Sequence, residues 1–445
     1  MTKSGLALSL RSAITGLPMS FLLTGKAHAA DDGEPKITIL SCSGAGEAVN
    51  VCGPGSFAPG LESYFEHPRA NEVDAGDVGT VMVNGMSLTA EHLEHGAEMS
   101  LGDRSVTMAA AWEALPADLR EHLLFFHHRT NAGIHPQFPT VLTAHGGVQG
   151  MGGRGAEQLP SAIAQETADI LDTTTTTPFV LGGGALSSEG APLPIYAPMQ
   201  AKMLASSVGN AVGGPENFGA LYDHYIDQTY AQVKSSGTAE QKKFLAQHAS
   251  SRAQATEFGE NLVQLLEGIT DDSIESQLRT AVAMAKLKLA PVIVTNFSFG
   301  GDNHSDFDLT IESNRTLHMI KALDALWQAA KSLDVADDIL YATLTVFGRD
   351  ATRGAKGGRG HHGALCTGMV LGSHIQGGVV GEMDTSSGQA VATGINTGTG
   401  TGADPDVPAE DTLHTYYKTL MLLAGVPADR RDERIPEGQD VTSMI

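Results

Sequence analysis

Basic residues are scarce. The chain carries 28 Lys and Arg against 51 Asp and Glu, a formal net charge of −23 over 445 residues. Such an acidic chain repels nucleic-acid phosphate and anionic lipid, so nucleic acid is set aside as a partner. Long apolar runs are missing as well. No segment approaches the roughly twenty apolar residues that a membrane span requires, and no spanning helix is expected. Cysteine is sparse, with Cys42, Cys52 and Cys366 alone. Their spacing is not that of a metal cluster, and three thiols cannot all pair within one chain. Cys42 and Cys52 stay open to two readings. They form a disulfide in an exported protein, or they are free, semi-buried thiols like Cys366.

What is present is enough apolar material for a large core. Hydrophobic residues make up 41% of the chain, which suits one big α/β domain or two smaller ones. Residues 1–30 have the make-up of an export signal. Lys3 and Arg11 supply the positive end, and residues 13–23 are mostly apolar although Pro18 interrupts them. Ala27-His28-Ala29 is a small-x-small cleavage site, followed by Asp31-Asp32. The expectation is an exported protein, periplasmic or extracellular, with residues 31–445 as a single α/β domain.

Short apolar runs repeatedly open into polar, glycine-rich loops. Residues 36–41, K-I-T-I-L-S, read as a first buried strand and lead into S-G-A-G-E-A-V-N at 43–50. Small residues there allow close backbone approach to a ligand, or simply make an ordinary strand-to-helix turn. Residues 123–126 form a strand opening into H-H-R-T-N-A-G-I-H at 127–135. This is either an anion-binding turn or a surface histidine cluster. Residues 291–297 deliver F-G-G-D-N-H-S-D, with Asp302 and His304. Residues 339–347 deliver a charged Gly/Arg loop, T-V-F-G-R-D-A-T-R-G-A-K-G-G-R-G-H-H at 345–362. Strands bringing Asp and His to loops at one sheet edge are the anatomy of an α/β metal or phosphate site.

Between the strands, helices are expected over 108–115, 159–171, 273–289, 315–333 and 411–423. Alternation of this kind predicts a mainly parallel central sheet with helices on both faces. Residues 198–268 differ. They are polar and helix-rich, and read as a helical insertion with helices at 217–234 and 239–266.

Taken together, these motifs resemble an exported bacterial family known only as domain of unknown function 1501, of the alkaline phosphatase and sulfatase-like superfamily. G-A-G-E-A-V-N at 44–50, with Pro54 four residues on, is similar to the family's G-G-A-D-G-L-N. Asp302-Asn303-His304 matches D-T-H, residues 345–349 match S-E-F-G-R, and residues 358–361 match G-R-D-H. Val346 and Gly360 stand where the family carries acids. The resemblance implies an alkaline phosphatase-like fold and a divalent metal, zinc or manganese, on Glu47, Asp302, His304 and His361. It also implies Thr130 as nucleophile and Arg349 as a catalytic cation, with His135, Arg129, Arg359 and His362 as further candidates. The implied reaction is metal-dependent hydrolysis of a small anionic phosphate or sulfate ester. The competing expectation is a catalytically degenerate protein that binds a ligand or partner in the envelope.

Overall fold

The computed structural model describes residues 34–57, 79–143, 157–182, 186–209, 225, 228, 230–239, 241–242, 261–353, 356–386 and 390–443. The expected export signal, and most of the helices expected at 217–234 and 239–266, lie outside the described residues. The chain divides into two compact units. Residues 196–272 belong to the smaller one, whose described part includes a helix, Pro198–Gly209. The larger unit comprises 29–195 and 273–445.

An eight-stranded sheet organises the larger unit, its edge strand ending at the unit boundary on Tyr196. Its strands are β1 (Ile37–Ser43), β2 (Leu123–His128), β3 (Phe179–Leu181), β4 (Ile195–Tyr196), β5 (Val292–Thr295), β6 (Ile339–Thr345), β7 (Cys366–Leu371) and β8 (Gly378–Val380). The order across the sheet is β4-β3-β5-β1-β6-β7-β2-β8. β1 runs parallel to β5 and β6, β5 to β3, and β2 to β8. β7 alone is antiparallel to both of its neighbours. Every residue of β1, β5 and β6 is buried, as expected of parallel strands covered on both faces.

The main helices are α1 (Leu159–Leu171), α2 (Ile274–Lys286), α3 (Thr310–Ser332) and α4 (Thr412–Leu423). Local chemistry sets their starts. Pro160 occupies the first turn of α1. The Ser273 hydroxyl accepts from the Ser276 backbone N–H at the head of α2. Asp306 caps α3, accepting from the Ile311 N–H at 3.1 Å and the Glu312 N–H at 2.8 Å. Among the described residues, no helix is long and apolar enough to cross a membrane.

Two sequence expectations need correction. Residues 108–115 are not one helix. Arg104–Ala109 is a strand paired with Gly96–Leu101, and only Ala110–Ala114 turns, as 3₁₀. Nor is 348–362 a plain loop. It is an antiparallel hairpin of β9 (Gly348–Arg353) and β10 (Arg359–His362), pairing Arg349 with His361. Cys42, Cys52 and Cys366 are free and buried. Burial pushes the Cys52 and Cys366 thiols up to about 12, which leaves them inert.

Candidate metal centre

The carboxyl ends of β1, β5, β6 and β2 lie at one edge of the sheet, and the loops leaving them meet there. His135 arrives on the loop after β2, His304 on the loop after β5, and His361 on β10. Their ring nitrogens lie within 4.8 Å of one another, the one such group of three metal-ligating side chains among the described residues. His361 Nε2 is 2.6 Å from His304 Nε2 and 3.1 Å from His135 Nε2. A tetrahedral zinc site with bonds of about 2.0–2.1 Å has nitrogen–nitrogen edges of about 3.3 Å, so the spacing is near that of a closed ligand set.

The outer nitrogens decide what the inner ones present. His135 Nδ1–H donates to Gly44 O at 2.7 Å, and His361 Nδ1–H donates to Gly133 O at 2.6 Å. With both protons spent outward, the two facing Nε2 atoms are lone pairs. Two lone pairs at 3.1 Å repel unless a cation or proton lies between them, and rings held this way are the usual form of metal-bound histidine. Burial, then the positive charge of Arg349, lowers the pKa of His304, against the pull of Asp302. Burial likewise lowers that of His361, aided by Arg349 and the neighbouring rings and opposed by its Gly133 bond. Both shifts favour the neutral, ligating form.

Asp302 completes the setting. Its carboxylate lies 3.5 Å from His135 Nε2 and 3.8 Å from His304 Nε2, and it is half exposed. Phe347 forms the floor. Its ring stacks on His361 with centroids 4.0 Å apart and meets His135 edge-on at 5.0 Å. Gly46 makes room for that floor. It has φ +79°, and a Cβ there would fall 2.4 Å from the Phe347 ring.

The other sequence candidates sit elsewhere. Glu47 is outside the histidine group. Its backbone bridges to Gly348, its carboxyl is buried, and neither oxygen has a hydrogen-bond partner. Burial raises its pKa to about 8. Thr130 is buried at 2% exposure, its hydroxyl 3.6 Å from the Cys366 thiol. The fully buried Arg349 guanidinium donates to Ala45 O, to Asp302 Oδ1 at 3.3 Å and to Arg359 O at 3.4 Å, so it braces loops. Arg359 pairs with buried Glu312, its Nε 2.8 Å from Oε2. Arg129 donates to Ala392 O at 2.7 Å.

His362 is held by Asp350 at 3.1 Å on one nitrogen and by Ala390 O on the other. Both partners accept, an arrangement that favours the doubly protonated ring. Burial works against that charge, but Asp350 and Ala390 outweigh it and raise its pKa. His127 and His128 stay buried in β2. Only His135, beyond the strand, reaches the centre. Phe347 and the Gly44 and Gly133 carbonyls went unread because backbone acceptors leave no mark in sequence. The F-G-R motif was the signal that could have pointed to Phe347.

Residues 227–399 match a family model described as a protein of unknown function, DUF1501. The match takes in Asp302, His304, Arg349 and His361 but neither His135 nor the 44–50 loop. No curated protein matches the chain. Two solved structures are similar over 90% of this chain and 74% of their own, at 10% identity. They are the crystal structure of Ps i-CgsB in complex with k-i-k-neocarrahexaose, with TM-score 0.35, and the crystal structure of Ps i-CgsB, with TM-score 0.34. These scores are too low to bear on fold or reaction.

Proposed function

We propose that this chain is an exported, alkaline phosphatase-like hydrolase that holds a divalent cation, zinc or manganese, on Nε2 of His135, His304 and His361. Its substrate is a small phosphate or sulfate ester. The convergence of three imidazole nitrogens, two of them oriented by backbone carbonyls, carries the reading. A cation bound there supplies Lewis acidity and lowers the pKa of water to near neutrality. Asp302, half exposed beside two of the rings, accepts the proton of the attacking water. Arg349 fixes Asp302 in that position. Lys356, exposed between β9 and β10, is the cation assigned to meet the substrate anion. Water takes the place expected of Thr130, whose hydroxyl is buried against Cys366.

A second reading is a cation-binding envelope protein without catalysis. It is favoured by the burial of Thr130 and by Val346, an apolar core residue where the family resemblance places an acid. Metal analysis and hydrolysis of aryl phosphate and aryl sulfate separate the readings. Stoichiometric metal in the purified protein, lost in His304→Ala, is expected under both. Ester hydrolysis abolished by Asp302→Asn with the metal retained supports the hydrolase. A metal-free wild-type protein under zinc and manganese loading sinks both.

A further inference from the structure

We infer that Gln137 is a positioning residue for this centre, setting the direction of the Gly133 carbonyl and, through it, the tautomer and aim of His361. The inference rests on the metal reading above. Gln137 acts not on the rings themselves but through the turn that carries His135. Its side-chain Oε1 accepts from the Gly133 N–H at 2.7 Å and from the Ile134 N–H at 3.2 Å. The Ile134 N–H and the Gly133 C=O belong to one planar peptide group and point in opposite directions. Fixing the N–H on one side therefore fixes the carbonyl on the other. That carbonyl accepts the His361 Nδ1 proton at 2.6 Å.

The rest of the turn is anchored independently, so the peptide plane is the part left for Gln137 to hold. Thr130 N–H and Asn131 N–H both donate to Gly363 O, at 3.0 and 2.9 Å. Pro136 follows His135 directly. Phe138 lies against Gly44, where a Cβ would meet its ring at 3.2 Å, and Gly44 O accepts from His135 Nδ1. Gly133 itself is exposed and open, with nothing near its absent Cβ. A glycine peptide with no packing on it rotates at little cost unless a hydrogen bond stops it. Gln137 supplies that bond.

The test uses zinc affinity, measured by competition with a chromogenic chelator, and the side-chain ¹⁵N shifts of His361 in metal-free protein. Gln137→Ala is expected to weaken zinc binding about 10- to 100-fold, the usual loss for an outer-shell partner. It is also expected to turn the His361 Nδ1–H tautomer into a mixture. Gln137→Glu keeps an accepting oxygen and is expected to restore both readouts, which a merely bulky side chain cannot do. Wild-type affinity and tautomer in Gln137→Ala, or no rescue in Gln137→Glu, overturns the assignment. A wild-type protein that takes up no zinc overturns the metal reading, and the ¹⁵N shifts still decide the role of Gln137.

Discussion

Residue 360 shows how one side chain can stand in for another. The family resemblance places an acid there, and the chain has Gly360. A Cβ on Gly360 would fall 2.1 Å from Asp350 Oδ2. The space is taken by a carboxylate from the facing strand of the hairpin, and that carboxylate holds His362. The expected loss of an acid is thus, in space, an exchange of the strand that supplies it. Gly360→Ala should push Asp350 off His362. Without that partner the His362 pKa is expected to fall, because burial then dominates over the remaining Ala390 bond. An NMR titration of His362 in the variant checks the direction. An unchanged or higher value would mean that Asp350 does not hold the ring.

The hairpin β9–β10 is the element that joins the centre together. Arg359 lies two residues before His361, and its guanidinium binds Glu312 near the start of α3. Glu312 also accepts from Asn303, the residue before His304. The Gly358 N–H donates to His304 O at 3.1 Å. One buried ion pair therefore ties the segments carrying two of the three rings. Removing one member of such a pair leaves a buried charge without compensation and costs about 3–5 kcal/mol. Glu312→Ala is expected to lower unfolding stability by that amount in urea titration, whereas Asp118→Asn, at the half-exposed Lys331 pair, should cost under about 1 kcal/mol. Equal losses would remove the clamp from the account.

This element also marks the limit of sequence reading. β1, β5 and β6 were legible because strands buried on both faces are unbroken apolar runs. β9 and β10 were not, because Arg349 and Arg359 look like solvent-facing loop residues until their carbonyl and carboxylate partners are known. The convergence of His304 and His361 beside Asp302 was legible, because their motifs follow apolar strands that end at one sheet edge. Glu47 follows β1 as a ligand would, but its carboxyl is buried and outside the histidine group, a placement that its sequence position does not reveal.

At the scale of the whole molecule, buried titratable groups set how stability responds to pH. Burial lowers His127 and His128 from 6.5 to about 4, and raises Glu47 from 4.5 to about 8. Between about pH 4 and 6.5 the unfolded chain binds the two histidine protons that the native state refuses. Stability therefore rises with pH there, by about 1.4 kcal/mol per unit for each histidine. Between 4.5 and 8 the native state keeps the Glu47 proton that the unfolded chain has released. That contribution is full below 4.5 and falls by about 1.4 kcal/mol per unit as pH rises to 8. His374, likewise lowered to about 4 mainly by burial, adds a third rising term; the rising terms exceed the falling one up to 6.5, and only the falling one continues beyond. His362, held above its usual pKa, adds to the loss on the alkaline side. Urea unfolding across pH 4–9 is expected to show maximal stability near pH 6.5, with Glu47→Gln flattening the alkaline limb and leaving the acid limb in place. An alkaline limb that survives Glu47→Gln unchanged would mean that Glu47 is already ionised in the folded protein, and a cation or a buried donor would have to be sought beside it.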